Sequence, residues 1–189
     1  MHNPIDAPSA WVQRFLTCIP AGRVLDLACG SGRHARLLAA AGHAVLAVDR
    51  NAEALASTAG PDIDTACIDL ENGHGAAALL QPGSFAGIVV TNYLHRPLLP
   101  LLFSSLADGG VLIYETFAHG NGEFGKPSSP AFLLQPGELL AAAREAQVHV
   151  LAFEDGYRAL PVPAMLQKLC AIKLRSGMPA GLLRLSEEL

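Results

Sequence analysis

Short apolar runs alternate with amphipathic stretches along most of the chain, the rhythm expected of strands joined by crossover helices. The apolar runs predict strands at Val24 to Cys29, His43 to Asp49, Asp64 to Asp69, Phe85 to Thr91, Val111 to Glu115, Val148 to Phe153 and Leu166 to Arg175. Helical spacing and capping residues predict a helix opened by Ser9 and running through Thr17, and another near Arg33 to Ala41. Further helices are expected behind Asn51, from Pro97 to Leu106 and from about Pro136 to Ala146. Turns are expected at Asp108-Gly109-Gly110 and Glu154-Asp155-Gly156. No helical pattern separates the last two strands, so they form an antiparallel hairpin. The fold class is therefore α/β, a doubly wound, mostly parallel seven-stranded sheet with an antiparallel C-terminal hairpin.

The pattern reads as one domain over residues 1–189, with residues 1–22 as an N-terminal helical cap. Residues 117–136 are rich in glycine and proline without apolar periodicity, and a loop of that length in a compact domain is a lid or binding loop. The tail after Gly177 is ambiguous: Leu182, Leu183 and Leu185 pack either on the chain itself or on a partner.

Composition narrows the classes. At 51% hydrophobic and 16% charged residues, the chain fits a sheet whose central strands are covered on both faces. A net charge of -4 and a pI near 5.9 provide no basic footprint for nucleic acid. No apolar run reaches membrane-spanning length and the first residues lack a signal-peptide pattern, so a cytoplasmic protein without membrane contact is expected. Cys18, Cys29, Cys67 and Cys170 are widely separated and read as reduced thiols. The histidines show no ligand spacing, and no metal site is expected.

The chemistry is concentrated in Val24 to Arg36, VLDLACGSGRHAR. A strand runs into Gly30-Ser31-Gly32 and on into a helix, a geometry that brings backbone close to a nucleotide-like ligand. Asp49 ends the next strand about 20 residues after the first glycine, where a ribose-binding carboxylate is expected. Asn92 and Tyr93 follow the fourth strand, at the carboxyl edge where ligands of such sheets bind.

This core, with Asp49, the Ile68-Asp69-Leu70 element and the terminal hairpin, resembles a class I S-adenosylmethionine-dependent methyltransferase. Asn92 to Arg96 and Tyr114 to Phe117 are similar to small bacterial tellurite-resistance-like methyltransferases. The resemblance implies a Rossmann-like methyltransferase fold, S-adenosyl-L-methionine as cofactor and in-line methyl transfer to a small-molecule acceptor. It implies cofactor contacts from Asp26, Ala28, Gly30, Gly32, Arg33, Asp49, Arg50, Asp69, Leu70 and Asn92. Ala28 stands where the family commonly has glycine, a mild departure if its φ is negative. Tyr93 is expected beside the methyl group, and His95 is the candidate base where the acceptor arrives protonated. Arg33 and His34 are either cofactor contacts or solvated, and Arg96 and Glu115 either meet the acceptor or serve structure.

Two other functions fit parts of the pattern. A nicotinamide-dependent oxidoreductase fits Gly30-x-Gly32-x-x-Ala35, but Asp26 inside the first strand and the lack of room for a substrate domain weigh against it. A cofactor-binding protein without transfer activity keeps the loop but has no need of Asn92-Tyr93 or a lid.

Overall fold

The structure is a computed structural model that describes residues 7–175; the tail after Gly177 lies outside the described residues. Seven strands form one sheet: β1 (Arg23–Leu27), β2 (Ala44–Asp49), β3 (Ile63–Cys67), β4 (Phe85–Thr91), β5 (Leu106–Phe117), β6 (His149–Arg158) and β7 (Ala164–Ile172). Their order is β3-β2-β1-β4-β5-β7-β6. The first five are parallel, while β7 runs antiparallel to β5 and β6 antiparallel to β7.

The central strands are apolar on both faces because both faces are covered. Every residue of β4 is buried. In β1, Leu25 and Leu27 join one core with Val48, Val90 and Leu112, whereas Val24 joins the opposite core with Val45, Val89 and Val111. Each such side chain contributes about 1.5–3 kcal/mol on burial, which holds β1 and β4 at the centre of a parallel sheet. Helices α1 (Ala10–Phe15), α2 (Arg33–Ala40) and α3 (Ala52–Ala56) supply one layer through Trp11, Ala35, Leu38 and Leu55. Helices α4 (His74–Leu79), α5 (Leu99–Ser105) and α6 (Glu138–Glu145) supply the other through Ala76, Leu102 and Leu139.

Local chemistry fixes the helix starts. The Ser9 hydroxyl accepts the Trp11 N–H, and Asn51 Oδ1 accepts those of Glu53 and Ala54, so both expected caps are in place. Trp11 is buried, and its indole N–H donates to the Leu169 carbonyl at 3.3 Å. Helix α4 was not expected: six residues, mostly Ala and Gly, carry no readable period, and Asn72 Oδ1 starts the helix by accepting the His74 and Gly75 N–H groups.

Two expected turns are corrected. Glu154-Asp155-Gly156 lies inside β6, where Glu154 pairs with Lys168 across the strands at 3.0 Å. The chain reverses instead between β6 and β7, at residues 159–163, where Pro161 and Pro163 stand. Asp108-Gly109-Gly110 is an irregularity within β5: Gly109 adopts φ +83° and donates its N–H to Lys173. Among the described residues no helix is long and apolar enough to cross a membrane.

Candidate active site

The strand order reverses between β1 and β4, and a cavity of about 600 Å³ opens there across the carboxyl ends of β1 to β5. From the β1 side come Ala28 to Ser31 and Arg33; from β2, Asp49 and Arg50; from β3, Ile68 to Glu71. From β4 come Thr91 to Leu94, from β5 Thr116 and Phe117, and from the loop beyond it Pro127 and Phe132.

The glycine turn is built from both sides. Asp49 Oδ2 accepts the Gly30 N–H and Oδ1 the Asn51 N–H, each at 2.8 Å. A carboxylate has about four lone-pair sites, so each oxygen keeps one for a ligand. Gly30 has φ +55° and nothing within 4 Å of where a Cβ would stand, so its bare backbone faces open space. Gly32 has a different task. A Cβ there would come within 2.3 Å of Thr58, so glycine lets α3's end press against the loop, and Gly32 does not line the cavity. From outside, Arg36 donates to the Ser31 carbonyl at 2.7 Å. Ala28 lines the cavity with φ 55°, which corrects the expectation of negative φ.

Asp26 is buried beneath the turn and is not part of the cavity wall. Its carboxylate accepts the Ala35 N–H in the first turn of α2, a helix whose cap residue, Gly32, has no side chain to do so. Burial pushes the Asp26 carboxyl up to about 7, against the lowering effect of that bond and of Arg33. Among the described residues its Oδ2 has no partner.

His34 is buried too. Its Nε2 accepts the Ser9 N–H at 3.0 Å, so its Nδ1 carries the proton and donates to the Thr91 hydroxyl at 3.3 Å. Burial, then the Arg33 charge, lowers it to about 3, so it is neutral. It is a strut between α1, α2 and β4 rather than a solvated residue. Ser9 also donates its hydroxyl to Glu115, which pairs with Arg158 at 3.7 Å and stays outside the cavity.

Beyond β4, Tyr93 lines the cavity and its hydroxyl is buried without a hydrogen-bond partner among the described residues. Burial and then the Glu71 charge push it up to about 12, so it stays protonated. The Tyr93 carbonyl is held by the Tyr114 hydroxyl at 2.8 Å. His95 does not line the cavity; its backbone opens a helical turn, where its carbonyl accepts the Leu98 N–H. The structure therefore does not bring the expected base to the site. Arg96 is committed elsewhere. It grips Glu138 with two bonds at 2.7 and 3.0 Å and donates to the carbonyls of Ala131 and Leu133.

The loop after β5 is thereby tied at both ends. Near its start, the buried Asn121 donates to the Pro127 carbonyl at 2.9 Å and accepts the Met165 N–H at 3.1 Å. Of the expected set, Ala28, Gly30, Arg33, Asp49, Arg50, Asp69, Leu70, Asn92 and Tyr93 share the cavity; Asp26, Gly32 and His95 do not. Glu71, Leu94, Phe117, Pro127 and Phe132 were not expected. The first three follow directly on strand ends or on expected site residues, a signal the sequence carried, whereas Phe132 depends on the tying of the loop. Among the described residues no His, Cys, Asp and Glu group is placed to hold a metal ion.

Residues 24–110 match the family described as a methyltransferase domain. The structure of TehB from Haemophilus influenzae superposes with a TM-score of 0.70 at 21% identity, covering 88% of this chain and 62% of that one. The 1,6-didemethyltoxoflavin-N1-methyltransferase of Burkholderia thailandensis, solved with its substrate and S-adenosylhomocysteine, gives 0.64 at 17% identity, covering 91% and 80%. In sequence, the protein-L-isoaspartate O-methyltransferase of Chlorobaculum tepidum is 35% identical over 97 residues, which span 50% of this chain and 45% of the relative. Residues 24–110 thus carry a methyltransferase-domain match, within a fold shared with solved S-adenosylmethionine-dependent methyltransferases. Its fold is similar to that of TehB and to that of the Burkholderia enzyme, which holds S-adenosylhomocysteine.

Proposed function

We propose that this protein transfers a methyl group from S-adenosylmethionine to a small-molecule acceptor, and that residues 7–175 act as one domain with 117–136 as its lid. The observation that carries the reading is the Gly30–Asp49 pair: a bare backbone facing open space beside a carboxylate with a free acceptor site on each oxygen. That donor and acceptor set fits the cofactor. Asp49 would hold the ribose hydroxyls, the Gly30 backbone would lie against the ribose and amino-acid part, and Asp69 and Leu70 would meet the adenine. The unpartnered Asp26 Oδ2 gives a buried acceptor toward the ammonium through the loop, and the ammonium's charge would favour the ionised carboxylate. When bound, the cofactor supplies a methyl group activated by a sulfonium. Asn92, Tyr93 and the lid orient the acceptor and exclude water, and alignment alone is a large source of rate.

Calorimetric titration with S-adenosylhomocysteine, with NAD in parallel, tests the reading. Micromolar binding of the first and none of the second is expected, and Asp49→Ala should weaken binding about 10- to 100-fold, the worth of a charge-assisted hydrogen bond of roughly 1.5–3 kcal/mol. NAD binding instead would make the protein an oxidoreductase candidate. Tight S-adenosylhomocysteine binding with no transfer to any acceptor would favour a cofactor-binding protein.

A further inference from the structure

Charge is divided unevenly along the cavity. Arg33, Asp49, Arg50, Asp69 and Glu71 all enter from the β1–β3 half. The β4–β5 half is walled by Leu94, Phe117, Pro127 and Phe132, with Thr91, Asn92, Thr116 and the Tyr93 hydroxyl as polar groups, and no charged side chain lines it. Two arginines near this half do not line it: Arg96 is held by Glu138 and two carbonyls, and Arg158 pairs with Glu115 at 3.7 Å. His34 is neutral and covered, and His95 stays out of the wall. An oxyanion or carboxylate, fully charged and strongly hydrated at neutral pH, would thus meet no cation on this side and would face the nearby Glu71 carboxylate, whereas a thiol enters neutral and its thiolate is large, polarisable and weakly hydrated.

We propose that the β4–β5 half of the cavity is the acceptor subsite for a small aromatic thiol, bound flat between Phe117, Pro127 and Phe132 with the Tyr93 hydroxyl donating to its sulfur. The assignment rests on the methyltransferase reading above. Three features of the wall select this chemistry. Aromatic and apolar side chains favour a ring. No histidine lines this half and the Glu71 carboxylate faces the Tyr93 hydroxyl, so the nucleophile must ionise by itself near neutral pH, as an aryl thiol does and a phenol or alcohol does not. Finally, the wall offers no counter-ion for a charged product. The thiolate sulfur bonds to the methyl carbon as the bond from that carbon to the sulfonium sulfur breaks, its electron pair passing to that sulfur. One negative and one positive charge cancel, no proton moves, and a desolvated wall favours the neutral products. An amine acceptor would instead leave a cation among Leu94, Phe117 and Phe132.

The test uses binding and transfer together. Thioanisole, the neutral methylated product of thiophenol, is titrated into the protein saturated with S-adenosylhomocysteine, beside selenite and benzoate; transfer is then assayed with thiophenol, aniline, phenol and selenite. Thioanisole should bind and the two anions should not, and thiophenol should be the acceptor methylated. Phe132→Ala should weaken thioanisole binding at least several-fold. Tyr93→Phe should slow transfer to thiophenol about 10-fold or more, with S-adenosylhomocysteine still bound. Binding of selenite or benzoate, preferential methylation of aniline or selenite, or thioanisole failing to bind while S-adenosylhomocysteine binds, each overturns the subsite. Failure of S-adenosylhomocysteine itself to bind overturns the methyltransferase reading beneath it.

Discussion

Ala28 holds a left-handed backbone, φ 55°, in the cavity wall, a conformation that favours glycine. A Cβ in that region costs roughly 1–2 kcal/mol, while the extra freedom of an unfolded glycine returns about 0.4–1 kcal/mol of it. Ala28→Gly should therefore stabilise the protein by about 0.5–1 kcal/mol, seen as a melting temperature about 2–3 °C higher for a chain of this size. A lower melting temperature would mean that the methyl group's contacts outweigh the backbone strain. At this scale the sequence was readable wherever a residue's type and place coincide: Asp49 at a strand end and Gly30 in the turn both announce themselves. Asp26 and His34 do not, because their meaning lies in what covers them. The same Asp26 that reads as a ligand contact is a cap for α2, supplied from a neighbouring strand.

Among the elements, the loop from β5 to α6 depends most on a few bonds. Arg96 joins the segment after β4 to Ala131, Leu133 and Glu138, on either side of Phe132. The pair is partly exposed, so its loss should cost only about 1 kcal/mol, or about 2–4 °C in melting temperature. The local effect should be larger. In Arg96→Gln, chymotryptic cleavage after the exposed Phe132 should speed several-fold while S-adenosylhomocysteine still binds; equal cleavage rates would show that Asn121 alone secures the loop. The parallel strands were legible because burial on two faces leaves an unbroken apolar run. The β6–β7 connection was not, since an edge strand tolerates Glu154-Asp155-Gly156, and cross-strand pairing with Lys168 turns an apparent breaker into sheet. Helix α4 is too short for periodicity to show.

Across the whole molecule, two buried titratable groups pull stability in opposite directions with pH. Asp26 is raised to about 7 in the folded protein, so the fold keeps a proton that the unfolded chain gives up, and stability falls as pH rises from about 4 to 7. His34 is lowered to about 3, so the unfolded chain takes up a proton that the fold refuses, and stability falls as pH drops from about 6.5 toward 3. Over the shared window the two offset. Asp26→Asn removes one of them: without cofactor, its stability relative to the parent protein should climb between pH 4 and 7 by up to about 4 kcal/mol. Parallel denaturation curves across that range, with no growing gap, would show that Asp26 ionises freely in the fold.

Trp11 is the chain's one tryptophan, and its ring lies buried on the sheet with its N–H on the Leu169 carbonyl. Two residues before it, Ser9 touches both His34 and Glu115, and His34 reaches Thr91 on the cavity wall. All of the molecule's indole emission therefore arises at the one helix wired to the floor of the site. If filling the cavity shifts α1, the emission maximum should move on titration with S-adenosylhomocysteine, and an unchanged spectrum would show the helix seated alike in both states.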